Sequence, residues 1–135
     1  MANVLYDKGR ERFLTARLDW LTVNIRAVLV DTASYTLNVS THEYLADIPP
    51  VARISTSGVF TNKSATGGAA DADNVTFTAV SGPSIEAVVL YADTGTEATS
   101  PLIGYFDSAA GLPITPNGGD IILQWDDGVN RIFRL

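Results

Sequence analysis

The chain has one histidine, His42, no cysteine, and fifteen carboxylates for nine lysines and arginines. Its chemical possibilities are therefore few. A Ser-His-Asp arrangement needs a histidine and an exposed, strained serine, and no G-x-S-x-G elbow is present to hold one. His42 beside Glu43 reads instead as a turn-stabilising residue. Asp71-Ala-Asp73-Asn74 begins like a calcium loop. Counted from Asp71, however, the sixth position is Thr76 where a glycine is required, and the twelfth is Gly82 where a glutamate should clamp the ion. A polar turn is the expectation there. Asp126-Asp127 suggests a glycosidase pair, yet those enzymes hold two facing carboxylates roughly 5–10 Å apart. Neighbours in a turn point apart, so the pair belongs to the hairpin Asp126-Asp127-Gly128. Gly67-Gly68 and Gly118-Gly119 lack the lysine and helix of a phosphate loop. Without cysteine there is no disulfide, thiolate nucleophile or thiolate metal site. The expectation is a protein that is not an enzyme, with no catalytic residue, no metal and no cofactor.

The elements that would carry such residues are mostly strands. Residues 7–21 are predicted to form the one helix, capped by Asp7. Tyr6, Phe13 and Trp20 recur at seven-residue spacing with Leu14, Leu18 and Leu21 beside them, a stripe that must lie on something apolar. Gly9 is expected to weaken the first turn. From Ile25 the period changes. Ile25 to Val30 is an apolar, β-branched run closed by Asp31, expected to be covered on both faces. Residues 32–52 read as irregular, with a helical turn near Glu43 to Asp47 that Pro49-Pro50 ends.

Further strands are predicted at Arg53 to Thr56, Val59 to Lys63, Asn74 to Val80, Ile85 to Tyr91, Leu102 to Phe106, Ile121 to Trp125 and Arg131 to Leu135. Turn chemistry separates them at Ser57-Gly58, Ser81-Gly82-Pro83, Asp93-Thr94-Gly95 and Pro116-Asn117-Gly118. About eight strands joined by short turns favour antiparallel pairing. The expected fold is mostly β, an antiparallel β-sandwich of jelly-roll-like type with one N-terminal helix, and residues 1–135 form a single domain.

A chain of 135 residues with 46% hydrophobic and 18% charged side chains can bury a core without staples. Neither a signal peptide nor a membrane helix is apparent. The net charge of −6 is unevenly spread. Residues 1–26 carry Lys8, Arg10, Arg12, Arg17 and Arg26 against Asp7, Glu11 and Asp19, or +2; residues 27–130 carry twelve acids against Arg53 and Lys63, or −10; Arg131 and Arg134 add +2. An acidic body repels phosphates, so nucleic acid is not an expected partner. Basic ends on that body suit contact with neighbouring copies or with an acidic partner. The expected subunit contacts are Tyr6, Lys8, Arg10, Arg12, Phe13, Arg17, Arg131 and Arg134. Of the twelve aromatics, Phe77, Tyr91, Tyr105, Phe106, Trp125 and Phe133 fall in predicted strands and are expected in the core; a sugar-binding platform would need several exposed on one face.

The segments MANVLYDKGRERFL, DWLTVNIRAVLVD, His-x-Tyr-Leu-Ala-Asp-Ile-Pro at 42–49, ADADNVTFTAVSG and GLPITPNGGDIILQWDDGVNRIFRL, in that order, resemble a family of small virion proteins of tailed bacteriophages. The likeness covers nearly the whole chain and rests on the combination. It implies a virion structural protein made in the host cytoplasm. The cement and decoration proteins of capsids, some of them jelly rolls and dimers, are the nearest type. Implied partners are the major capsid protein and further copies of the chain, as dimer or trimer, with no nucleic acid and no membrane. A tail, neck or baseplate component is the alternative, and a carbohydrate-binding module for host attachment the second.

Overall fold

The structure is a computed structural model that describes residues 4–107, 112–125 and 132–134. In chain order the elements are β1 (Val4–Leu5), α1 (Asp7–Leu14), β2 (Ile25–Val30), β3 (Arg53–Thr56), β4 (Ala69–Ala70), β5 (Val75–Phe77), β6 (Ala87–Ala92), β7 (Leu102–Phe106), β8 (Ile121–Leu123) and β9 (Phe133–Arg134). The fold is mostly β with one helix. Five strands form an antiparallel sheet in the order β1-β7-β6-β2-β3, and β4-β9 and β5-β8 form two-stranded ribbons.

The central strands β2, β6 and β7 are apolar runs, broken only by Arg26 in β2, because both of their faces are covered. One face presents Ile25, Ala27, Leu29, Val88, Leu90 and Phe106 to the ribbons, which answer with Ala70, Phe133, Val75 and Phe77. This is the sandwich side. The other face presents Val28, Val30, Val89, Tyr91, Leu102 and Tyr105 to the stretch between β2 and β3, through Tyr35, Leu45, Ile48 and Ala52. The irregular segment is thus a structural layer. Two bulges keep the faces in register. Ile103 is the extra residue between the pairs Tyr91–Leu102 and Leu90–Gly104, and Ile54 between Val30–Arg53 and Leu29–Ser55. Both side chains join the ribbon-side core.

The helix is shorter than its hydrophobic spacing predicts. It stops at Leu14, and Ala16 adopts a left-handed φ of 57° in the turn that follows. Trp20 reaches the core from that turn, so the seven-residue spacing records burial and not one continuous helix. Leu14 and Leu21, expected within the buried stripe, are 86% and 53% exposed. Asp7 is the first helical residue; the cap position is Tyr6 and makes no side-chain capping bond.

Gly9 does not delay the helix; it seats it. A Cβ at that position would lie 2.7 Å from the Leu102 carbonyl oxygen and 3.2 Å from Ile103 Cα, so only glycine lets α1 rest on the β7 backbone.

The stretch 59–63 runs beside β2 without a strand's ladder. Ser57 Oγ accepts the Ala27 N–H at 2.9 Å, and Phe60 N–H reaches the Ile25 carbonyl at 2.8 Å. Asn62, at φ 52°, then turns the chain away. The strand expected over 74–80 shortens to β5 because Ala79 is left-handed at φ 50° and gives its N–H to the Asp120 carboxylate at 2.9 Å. Ser57 is 2% exposed, and replacing it with alanine would strand the buried Ala27 N–H. Ser57→Ala is therefore expected to lower stability by about 1–3 kcal/mol, with faster hydrogen exchange at the Ala27 amide. Urea unfolding and exchange measured together check this.

Candidate functional site: an exposed face at the N-terminal helix

The residues proposed above for chemistry are occupied with local structure. His42 Nδ1 lies 2.8 Å from the Tyr35 hydroxyl and 3.3 Å from the Asn38 N–H. A backbone N–H can only donate, so Nδ1 accepts and the ring proton sits on Nε2. Tyr35 must then donate to His42, which leaves its oxygen to accept from Tyr6, 2.9 Å away. The histidine closes the turn from Asn38 to His42, with no serine in its hydrogen-bond chain. Asp73 accepts from Thr61 at 3.0 Å and Asn62 at 2.6 Å, and Asp71 pairs through its backbone with Ser64. Asp126 and Asp127 lie outside the described residues. Among the described residues no three His, Cys, Asp or Glu side chains converge as a metal site.

A cleft of about 270 Å³ that the sequence did not signal is lined by Thr32, Glu86, Tyr105, Asp107, Leu112 and Pro113. Burial raises the Glu86 carboxyl, but the Ser84 hydroxyl and the N–H and hydroxyl of Thr32, at 3.0 and 3.1 Å, outweigh it and hold it below the usual range. Glu86 stays an ionised acceptor and is a poor proton donor at neutral pH. Phe77, Tyr91, Tyr105, Phe106 and Phe133 are buried as expected, and Trp125 is half-buried.

The proposed contact residues divide sharply. Tyr6 is fully buried and spends its hydroxyl on Tyr35, so it is core and not a subunit contact. Arg12 places Nη2 2.7 Å from Glu43 Oε2 and 2.9 Å from the Tyr44 hydroxyl, with its guanidinium 5.3 Å above the Tyr44 ring. That charge is engaged within the chain, pinning α1 to the 43–47 turn, and is also withdrawn from the contact set. Phe13 is half-buried against Phe133 at 5.9 Å. Lys8 sits 3.7 Å from Glu11 in an exposed pair that contributes little. Arg131 lies outside the described residues.

Arg10, Arg17 and Arg134 remain, each exposed and without an ion pair among the described residues. The side chains of Arg10 and Leu14 are neighbours one helical turn apart on the outer face of α1. Sequence reasoning missed Leu14 and Leu21 as surface residues because it assigned them to the buried stripe.

Beyond the end of α1 lies an apolar groove of about 390 Å³, lined by Phe13, Leu18, Trp20, Leu21, Ala70 and Phe133 among others. Its floor belongs to a run of five rings. Phe13 meets Phe133 at 5.9 Å, Phe133 meets Trp20 edge-on at 5.3 Å, Trp20 meets Phe60 at 6.2 Å, and Phe60 meets Trp125 at 5.4 Å. Such contacts add stability beyond their buried area. No family model matches the chain, and no curated protein is similar to it. No helix among the described residues is long and apolar enough to cross a membrane.

Proposed function

We propose that the protein is a structural component of a tailed-phage particle, a cement or decoration subunit that binds the outer surface of the major capsid protein lattice and stabilises the head. The observation that carries this reading is the outer face of α1. Leu14, 86% exposed, stands one turn from Arg10, an exposed cation with no ion pair among the described residues, on a helix fixed from beneath by Gly9 and from the side by Arg12. An apolar side chain and an exposed positive charge on a rigid support are what a small subunit needs to grip an acidic surface. Several such grips on one particle let each remain modest. The family resemblance of the sequence supports the same reading.

The test is occupancy on purified particles. Arg10→Glu with Leu14→Ser removes one exposed leucine and reverses one exposed charge. It is expected to weaken binding about tenfold or more while leaving the protein's own melting temperature unchanged. Full occupancy by the double variant would remove α1 from the contact. Copy number per particle separates the head from the tail, neck or baseplate: hundreds of copies fit the shell, and a few to some tens fit the tail.

A further inference from the structure

We propose that Asn117 is a spontaneous deamidation site, whose side-chain amide is lost to a backbone cyclisation that the turn at 116–119 holds in check. No other asparagine of the chain is followed by glycine. Asn24, Asn38, Asn62 and Asn74 precede Ile25, Val39, Lys63 and Val75, whose side chains shield the nitrogen that would have to attack. Gly118 has no such shield. It and Asn117 are both exposed, and no atom lies within 4 Å of where a Cβ on Gly118 would stand.

The reaction needs an electrophile and a nucleophile, and the turn treats them oppositely. Asn117 Oδ1 accepts the Gly119 N–H at 2.9 Å. That bond folds the side chain back over the peptide joining Asn117 to Gly118. It also aims a donor at the oxygen on which negative charge grows when Cγ is attacked. The nucleophile is withheld. The Gly118 N–H donates to the Val80 carbonyl at 2.7 Å, and the Val80 N–H returns a bond to the Gly119 carbonyl at 3.0 Å. Val80 is buried in the ribbon-side core, and the Asp120 carboxylate holds the neighbouring Ala79 N–H at 2.9 Å. Reaction therefore proceeds from the fraction of molecules in which the Val80 pair has opened.

Once released, the Gly118 nitrogen gives up its proton and attacks Asn117 Cγ. The new N–Cγ bond closes a cyclic imide, the Cγ–Nδ2 bond breaks, and ammonia leaves with the proton. Water then opens the imide at either carbonyl and yields aspartate or isoaspartate, so the net change consumes a water and releases an ammonia. Isoaspartate carries the main chain through Cβ and Cγ, a methylene longer, and no longer matches the spacing that sets Gly118 and Gly119 against Val80. The step is one-way, and it adds a negative charge close to Asp120 at the entry to β8. It goes beyond the particle role proposed above and does not depend on it.

Peptide mapping of the intact protein aged in mildly alkaline buffer tests it, with amide loss and isoaspartate followed at each asparagine. Asn117 is expected to convert before any other. Asp120→Ala, which frees the Ala79 N–H beside the Val80 pair, is expected to convert about threefold or more faster, the effect of one lost hydrogen bond on the open fraction. Urea below the unfolding transition is expected to accelerate the wild type in the same way, a measurement that stands even where the variant fails to fold. A wild type in which Asn117 stays amidated, or in which another asparagine converts first, would overturn the proposal. Wild-type rates in both Asp120→Ala and urea would overturn it too, since the closed turn would then react as readily as the open one.

Discussion

Gly9→Ala is expected to destabilise the protein by about 2 kcal/mol or more, although the same exchange in an exposed helix stabilises by up to about 1 kcal/mol. The sign reverses because of what lies under the helix. The added methyl would sit 2.7 Å from the Leu102 carbonyl oxygen and 3.2 Å from both Cα and the carbonyl oxygen of Ile103. All three are backbone atoms of a strand paired on both sides, by β1 and β6, so they cannot turn aside as a side chain can. The helix must lift instead. Lifting it strains the Tyr6 N–H bond to the Ile103 carbonyl, 3.0 Å long, and the Arg12 bonds to Glu43 and Tyr44. Urea unfolding reads the loss directly, and crosslinking of α1 to β7 reads the displacement. An alanine variant as stable as the wild type would mean that the helix does not rest on this strand.

The same residue shows where sequence reasoning stops. A glycine inside a helical pattern reads as a weak point, because propensity is local while close packing on a strand some ninety residues away is not. By contrast, β2 and β7 fall where the apolar runs place them, at Ile25–Val30 and Leu102–Phe106. Two-sided burial writes itself into the chain as a nearly unbroken run. The layer formed by Tyr35, Leu45, Ile48 and Ala52 has no period to detect, since turns and 3-10 segments bury single residues at uneven spacing.

The candidate contact face was half legible. Charge counting finds Arg10, Arg17 and Arg134, which stay exposed. It also selects Arg12, whose partners Glu43 and Tyr44 are more than thirty residues away and are brought close only by the sheet. Tyr6 fails for the same reason, with Tyr35 twenty-nine residues on. The apolar half of the face was hidden by the helix's early end. A stripe drawn through residue 21 buries Leu14 and Leu21, whereas the left-handed turn at Ala16 leaves both in solvent.

The buried phenol of Tyr6 makes the second large prediction, a stability that collapses in alkali. Burial, and then the charge and hydrogen bond of Tyr35, push the Tyr6 hydroxyl far above its ordinary value of 10.0. Tyr35 is pushed up to about 12, again first by burial. In the unfolded chain both ionise once the pH passes 10, whereas in the fold both stay protonated. Their contribution is therefore complete below pH 10 and is lost as pH rises beyond it, by about 1.4 kcal/mol per pH unit for Tyr6 alone. Tyr6→Phe removes one of these protons. At pH 7 the variant is expected to be less stable by about 1 kcal/mol, because Tyr35 loses its donor. Its alkaline decline should be shallower by the Tyr6 slope, so the two stability curves cross about one pH unit above 10 and the variant is the more stable beyond that point. Urea unfolding between pH 7 and 11, with tyrosinate absorbance followed at each step, checks both limbs. Curves that stay parallel through pH 11 would show that the Tyr6 hydroxyl ionises in the folded protein, which its full burial against Tyr35 opposes.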